Sequence, residues 1–145
     1  MTVKTETTFY KNVKKLLEDG DEKFIVTRIE SYATPGFPDC IIYHNDLGFF
    51  TIELKVVRRS KRGISKVLIS TMQMAWHTLH IIHGAPVYIL VYDPGKRIVN
   101  LFEGAKLPKL RKLPFDDVVQ EAMYSGPMPG LQLVKLLSPQ TPKLH

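Results

Sequence analysis

The stretch PDCIIYHNDLGFFTIELKVV, residues 38–57, decides the reading of this chain. Cys40 to His44 and Phe49 to Val57 are rich in β-branched and aromatic residues, and the turn-forming Asn45-Asp46-Leu47-Gly48 lies between them. Together they predict a β-hairpin. A period of two along the second arm puts Glu53 and Lys55 on one face. The turn folds the arms antiparallel, which brings Asp39, at the start of the first arm, toward the latter half of the second, so Asp39, Glu53 and Lys55 converge. Glu53 stands among Phe49, Phe50, Ile52, Leu54 and Val56. An acidic residue there is costly to bury unless a cation compensates it. The plainer alternatives are a turn residue at Asp39 and a surface ion pair between Glu53 and Lys55.

Upstream, the residues from Thr7 or Thr8 to Glu18 predict a helix with Phe9, Val13, Leu16 and Leu17 on one side, Lys11, Lys14 and Lys15 on the other, and Gly20 as its stop. Phe24 to Ile29 alternates as a strand does, and Thr34-Pro35-Gly36-Phe37-Pro38 breaks regular structure. Downstream, Arg58-Arg59-Ser60-Lys61-Arg62-Gly63 reads as an exposed basic loop. Ser70 is a suitable N-cap for a helix in which Met72, Ala75, Trp76, Leu79 and Ile82 form an apolar stripe, with Met72 and Trp76 expected in the core. Gln73, His77 and His80 share the flanking polar side of that helix, where the histidines are read as surface or half-buried residues rather than ligands. Pro86 to Tyr92 is nearly all apolar, as a strand buried on both faces would be, and a strand from Lys96 to Phe102 follows. A helix between the strands of Glu53 and Tyr88 is the crossover that parallel pairing requires.

The resulting order, α-β-β-β-α-β-β, is that of an α/β fold with a central mixed β-sheet flanked by helices. Residues 1–104 form the expected core. Residues 105–145, with six of the ten prolines, read as a C-terminal extension that wraps the core or is partly flexible. Within it, Phe115 to Met123 predicts a short helix and Leu131 to Leu136 a strand.

At 145 residues, 44% hydrophobic and 23% charged, the chain has ordinary single-domain globular composition, which excludes collagen-like, mucin-like and disordered classes. Twenty Lys and Arg against fourteen Asp and Glu leave a net charge of +6, a surplus that favours a polyanionic partner. The lone Cys40 rules out an internal disulfide and a multi-cysteine zinc site, pointing to a reducing, intracellular setting, cytoplasmic or nucleoid-associated. No apolar run approaches the ~18 residues of a membrane span, and Met1 to Glu6 lacks the apolar stretch of a signal peptide, so neither a membrane partner nor secretion is expected.

Hard divalent cations such as Mg²⁺ take oxygen ligands, often one or two carboxylates plus water and phosphate oxygens. Asp39 and Glu53 supply such a pair, and the Leu54 carbonyl could add another oxygen. A lysine beside the cation can hold or help deprotonate an attacking water and can stabilise charge developing on a phosphate. The chemistry this suggests is phosphodiester hydrolysis.

Gly36-Phe37-Pro38-Asp39 followed by Glu53-Leu54-Lys55 resembles the PD-(D/E)XK nuclease signature, and Ser70-Thr71-Met72-Gln73-Met74-Ala75-Trp76-His77, with Gly84 and an apolar strand beyond, is similar to the helix after the motif in the VRR-NUC and archaeal-type Holliday junction resolvase branches. The resemblance covers about residues 5 to 92. It implies a restriction-endonuclease-like core and a Mg²⁺-dependent endonuclease, with Mn²⁺ as a substitute, that hydrolyses DNA in a structure-selective way: junction, flap or nick. It gives Gln73 a place facing the metal site, where it would orient the water. It also implies an acidic ligand on the first helix, for which Glu6 fits better than Glu18.

The loop carrying Arg58, Arg59, Lys61 and Arg62, with Lys66 beyond, is placed to grip phosphates flanking the scissile one, and Lys11, Lys14 and Lys15 offer a second patch. Lys106, Lys109, Arg111 and Lys112 read as an exposed arm that could extend the DNA track. Tyr32 or Phe37 could stack on a base or pack in the core. No organic cofactor is expected, and cutting both strands of a junction would need a homodimer. The rival readings are a non-catalytic DNA-binding protein with the same fold and a small accessory interaction protein in which the motif is accidental.

Overall fold

A computed structural model describes residues 6–29 and 36–137 of the chain. Tyr32 and the Thr34-Pro35 part of the predicted break lie outside the described residues. The chain runs α1 (Glu6–Asp19), β1 (Ile25–Arg28), β2 (Cys40–His44), β3 (Gly48–Val56), β4 (Arg58–Arg59), β5 (Ser65–Lys66), α2 (Thr71–Ile82), β6 (Val87–Asp93), β7 (Ile98–Glu103), α3 (Leu107–Lys112), α4 (Phe115–Val118), β8 (Tyr124–Gly126) and α5 (Leu133–Leu137). It is an α/β fold with a mixed six-stranded sheet in the order β1-β2-β3-β6-β7-β8. The predicted hairpin is β2–β3, with Cys40 opposite Ile52 and His44 opposite Gly48. β3 pairs in parallel with β6 after the α2 crossover, while the other neighbours in this sheet are antiparallel.

Each face of the sheet carries its own apolar cluster. On one, Phe9, Val13 and Leu17 of α1 pack with Ile42, Ile52, Leu54, Leu90 and Tyr92. On the other, Ile89, Val91 and Phe102 meet Val67 and Ile69 together with Leu107, Leu110, Phe115 and Val118 from beyond the sheet. With both faces covered, Ile52, Glu53, Leu54 and Lys55 are all buried in succession on β3. Among the described residues no helix is long and apolar enough to cross a membrane.

Four expectations change. The basic stretch after β3 is not an irregular loop but a small antiparallel ribbon, β4–β5, with Gly63 in its turn donating to the Ser60 carbonyl at 2.9 Å. The helix at Phe115 ends at Val118 and tightens into a 3₁₀ turn over Val119–Glu121. Residues 133–137 are helical, not a strand: Leu131-Gln132-Leu133-Val134 alternates over too few residues to separate the two periods, and Leu131 and Leu133 are buried either way. Most consequentially, the apolar stripe of α2 faces outward. Met72 is 48% exposed, Leu79 54% and Ile82 70%, whereas His77, expected near the surface, is fully buried. Beyond Gly104 the chain also forms α3 and the sixth strand, β8, neither of which periodicity predicted.

Candidate active site

β3 places the Glu53 and Lys55 side chains on one face, and both are nearly inaccessible, at 1% and 5% exposure. Asp39 stands just before β2, and the hairpin register brings it to the β3 backbone, where its Oδ2 accepts the Leu54 N–H at 2.7 Å. The three residues that the sequence predicted to converge are therefore anchored to two adjacent strands. Leu54, between Glu53 and Lys55, turns its own side chain into the α1-side core.

The third wall is the start of α2. Ser70 caps it, its Oγ accepting the Gln73 N–H at 3.1 Å while Gln73 Oε1 accepts the Ser70 N–H at 3.0 Å, a capping box. The same Oε1 accepts from Lys55 Nζ at 3.0 Å, and Gln73 Nε2 donates to Glu53 Oε1 at 2.8 Å. Lys55 Nζ itself lies 3.7 Å from Glu53 Oε1. Gln73 Oε1 is shared by two protein donors, while Nε2, with two N–H groups, gives one of them to Glu53. One side chain thus caps the helix and ties the two motif residues of β3 to it. Gly36 completes the arrangement: its φ is +94°, and a Cβ there would lie 2.3 Å from the Met72 carbonyl oxygen. Only glycine lets the chain leading to Asp39 run against the first turn of α2.

Electrostatics single out Glu53. Burial, then the Asp39 carboxylate, hold its pKa well above the usual range, with Lys55 only partly opposing them; a protonated Glu53 also donates a hydrogen bond to Asp39. Once ionised, Glu53 has one oxygen, Oε2, that is buried and without a hydrogen-bond partner. A proton or a cation between Glu53 and Asp39 satisfies this geometry, so the residues fit a divalent ion held by two carboxylates. Among the described residues no group of three or more His, Cys, Asp or Glu forms a metal cage. Glu6, at the head of α1, is not part of a compact carboxylate triad. Its pKa is raised by burial, lowered by Lys55, raised by Asp39 and lowered by Arg58, which places it within the field of the site.

His77, one turn beyond Gln73, was not foreseen in this setting. Its Nδ1 lies 2.8 Å from the Gln73 carbonyl, an acceptor, so Nδ1 carries the hydrogen; Nε2 is buried without a partner. Burial lowers its pKa and keeps the ring neutral. The i, i+4 spacing from Gln73 was the available signal. His80 instead stacks on the Trp76 ring at 3.7 Å, and Phe37 packs against the same ring at 5.6 Å.

The cations divide into engaged and available. Arg58, Arg59, Lys61, Arg62 and Lys66 are exposed on the β4–β5 ribbon. Arg59, however, bonds the buried Asp93 at 2.7 Å and Asp116 at 3.3 Å, which commits it to fastening the ribbon to β6 and α4. Lys14 is held by Glu18 at 2.7 Å. Lys106 and Lys109 of the C-terminal basic cluster both reach Glu121, each at 2.9 Å. Lys66 and Arg111 line a cleft together with Lys55 and Gln73. No protein-family model matches the chain, and comparison with curated proteins finds no match.

Proposed function

We propose that this chain is a Mg²⁺-dependent endonuclease of the PD-(D/E)XK type, related to the VRR-NUC and archaeal-type Holliday junction resolvase branches, acting on DNA. The observation that carries this reading is the cluster of Asp39, Glu53, Lys55 and Gln73, in which Glu53 and Lys55 are buried and Glu53 Oε2 has no hydrogen-bond partner. Asp39 and Glu53 would hold Mg²⁺, with Mn²⁺ as a substitute, the Leu54 carbonyl would add an oxygen, and Glu6, at the head of α1, would have to move closer to join them. Bound there, the ion supplies Lewis acidity and positive charge for a phosphoryl oxygen.

Lys55 has three N–H donors, and one is committed to Gln73. The others, beside Glu53 at 3.7 Å, would hold the attacking water against the phosphorus and stabilise charge in the transition state. The water oxygen bonds to phosphorus as the bond to the leaving sugar oxygen breaks; the water gives a proton to solvent and the leaving oxygen takes one up. Gln73 keeps Lys55 and Glu53 in place. Arg58, Lys61, Arg62 and Lys66 contact flanking phosphates without reading bases, which makes binding salt-sensitive and selective for structure. A homodimer would present the two sites needed for paired cuts in a junction.

The test is cleavage of four-way junction, flap, single-stranded and linear duplex DNA in Mg²⁺ and Mn²⁺, with Lys55→Ala in parallel. Wild type is expected to cut at least one substrate, and Lys55→Ala to lose about 10²–10⁴-fold in rate, the scale of a positioned acid–base group. No cutting by wild type, or equal cutting by Lys55→Ala, would sink the mechanism.

A further inference from the structure

The basic stretch beyond Gly104 is sorted by the helix it forms. α3 buries Leu107 and Leu110, and its cations leave in different directions. Lys106 and Lys109 turn to Glu121. Arg111 turns to the start of α2, where its Nη2 donates to Thr71 Oγ1 at 3.0 Å. There it borders a cleft of about 490 Å³ whose other cations are Lys55 from β3 and Lys66 from β5. The cleft lining holds no carboxylate, and among the described residues Arg111 forms no salt bridge. Three positive side chains from separate elements thus meet in one concavity; Lys55 faces Glu53 at 3.7 Å behind the lining, whereas among the described residues Lys66 and Arg111 have no carboxylate partner. One wall is apolar, with Leu68 46% exposed beside Ile69. The volume falls among the ~300–1,000 Å³ pockets that accept small organic groups, and is generous for a bare phosphate.

We propose that this cleft is a one-nucleotide subsite beside the scissile phosphate: Arg111 and Lys66 hold the next internal phosphate of the strand, and Leu68 covers the face of its sugar or base. This rests on the nuclease reading, since Lys55 is shared by the cleft and the proposed catalytic cluster. A guanidinium presents a planar fork that grips phosphate in two places, while the lysine adds a point charge. Anchoring the neighbouring nucleotide would fix the register of the strand across Asp39 and Glu53.

The experiment is equilibrium binding of a 3′-fluorescein-labelled single-stranded DNA in EDTA, where no cleavage occurs, across a salt series. Arg111→Gln and Lys66→Gln are each expected to weaken binding about tenfold and to reduce the salt slope by about one. Lys106→Gln removes the same charge from a residue already paired with Glu121 and is expected to change affinity less than about twofold. Arg111→Lys, which keeps the charge and loses the fork, should fall between wild type and Arg111→Gln; melting curves verify that each variant is folded. The proposal is overturned if Lys106→Gln weakens binding as much as Arg111→Gln, or if Arg111→Gln binds like wild type. It is also overturned if the Arg111 contribution requires a 5′-phosphate on the strand, which would make the ligand a terminal phosphate. Its failure is separable from that of the nuclease reading. Lys55-dependent cleavage with normal DNA binding by Arg111→Gln removes only the subsite. Arg111-dependent binding by a wild type that cuts nothing removes the nuclease and leaves the cleft as a strand-phosphate site without a scissile neighbour.

Discussion

α1 and α2 are both amphipathic, yet they sit on the sheet in opposite senses. α1 buries its apolar side, with Phe9, Val13 and Leu17 all inside, and leaves Lys11 and Lys15 exposed. α2 sends Gln73 and His77 inward and leaves Met72, Leu79 and Ile82 in solvent. The sheet beneath each helix supplies the reason. α1 lies over Ile42, Ile52, Leu54 and Tyr92, where apolar burial is the dominant gain. α2 faces Glu53 and Lys55, and an apolar stripe turned toward them would leave two buried polar groups without the hydrogen bonds Gln73 gives them, at a cost of about 1–3 kcal/mol each or more for a charged one. The amide of Gln73 bonds one oxygen of Glu53 and the Lys55 ammonium, so partnering those groups outweighs the burial that Leu79 and Ile82 forgo.

The contrast can be broken first at α1. Phe9 is fully buried against Tyr92, with ring centroids 5.7 Å apart. Phe9→Ala should cost about 3–5 kcal/mol by denaturant unfolding, the range for truncating a packed aromatic. A loss below about 1 kcal/mol would mean that α1 does not hold the sheet as its burial implies.

What the sequence revealed follows from which interactions are local. The hairpin was legible because its turn and its alternation lie within residues 38–57, and with it the meeting of Asp39, Glu53 and Lys55. The existence of α2 was legible from the cap at Ser70 and the stripe; its orientation was not, because periodicity gives a helix an apolar axis without saying what the opposing surface needs. Gln73 was identified, but as a residue facing the site rather than as the link between Glu53, Lys55 and the cap. Arg59 read as one more cation in a basic run because Asp93 and Asp116, the partners that immobilise it, are distant in sequence. Arg111 was indistinguishable from Lys106 and Lys109 until α3 turned them apart.

The second way to sharpen the contrast is pH, because the surface under α2 carries a buried carboxyl whose pKa is held well above the usual range. An unfolded Glu ionises near 4.5, whereas Glu53 in the fold, desolvated and beside Asp39, holds its proton to a much higher pH. Between those two values the unfolded chain has lost a proton that the native protein keeps, so stability falls as pH rises through that window. Glu53→Gln removes this dependence. Melting wild type and Glu53→Gln without divalent ions at pH 5 and pH 8 should show wild type losing more stability at the higher pH. On the proposed function Mg²⁺ should restore part of that loss, since it would bind the ionised carboxylate in competition with the proton. Parallel pH responses in the two proteins would mean that Glu53 is not the strained group.

The smallest effect belongs to the outer face of α2. Leu79 and Ile82 project into solvent at 54% and 70% exposure, so truncating them gives up little buried area and opens no cavity. Leu79→Ala and Ile82→Ala should each change stability by no more than about 0.5 kcal/mol, the scale of surface substitutions, despite deleting as much hydrocarbon as many core mutations do. Alanine also suits a helix at least as well as leucine or isoleucine, so propensity adds no penalty of its own. If either substitution costs about 2 kcal/mol or more, as a buried leucine or isoleucine would, the stripe is covered in solution and α2 resembles α1 after all. Measuring the pair at low and high protein concentration settles what covers it: a cost that grows with concentration comes from contact between copies, and one that does not comes from within the chain.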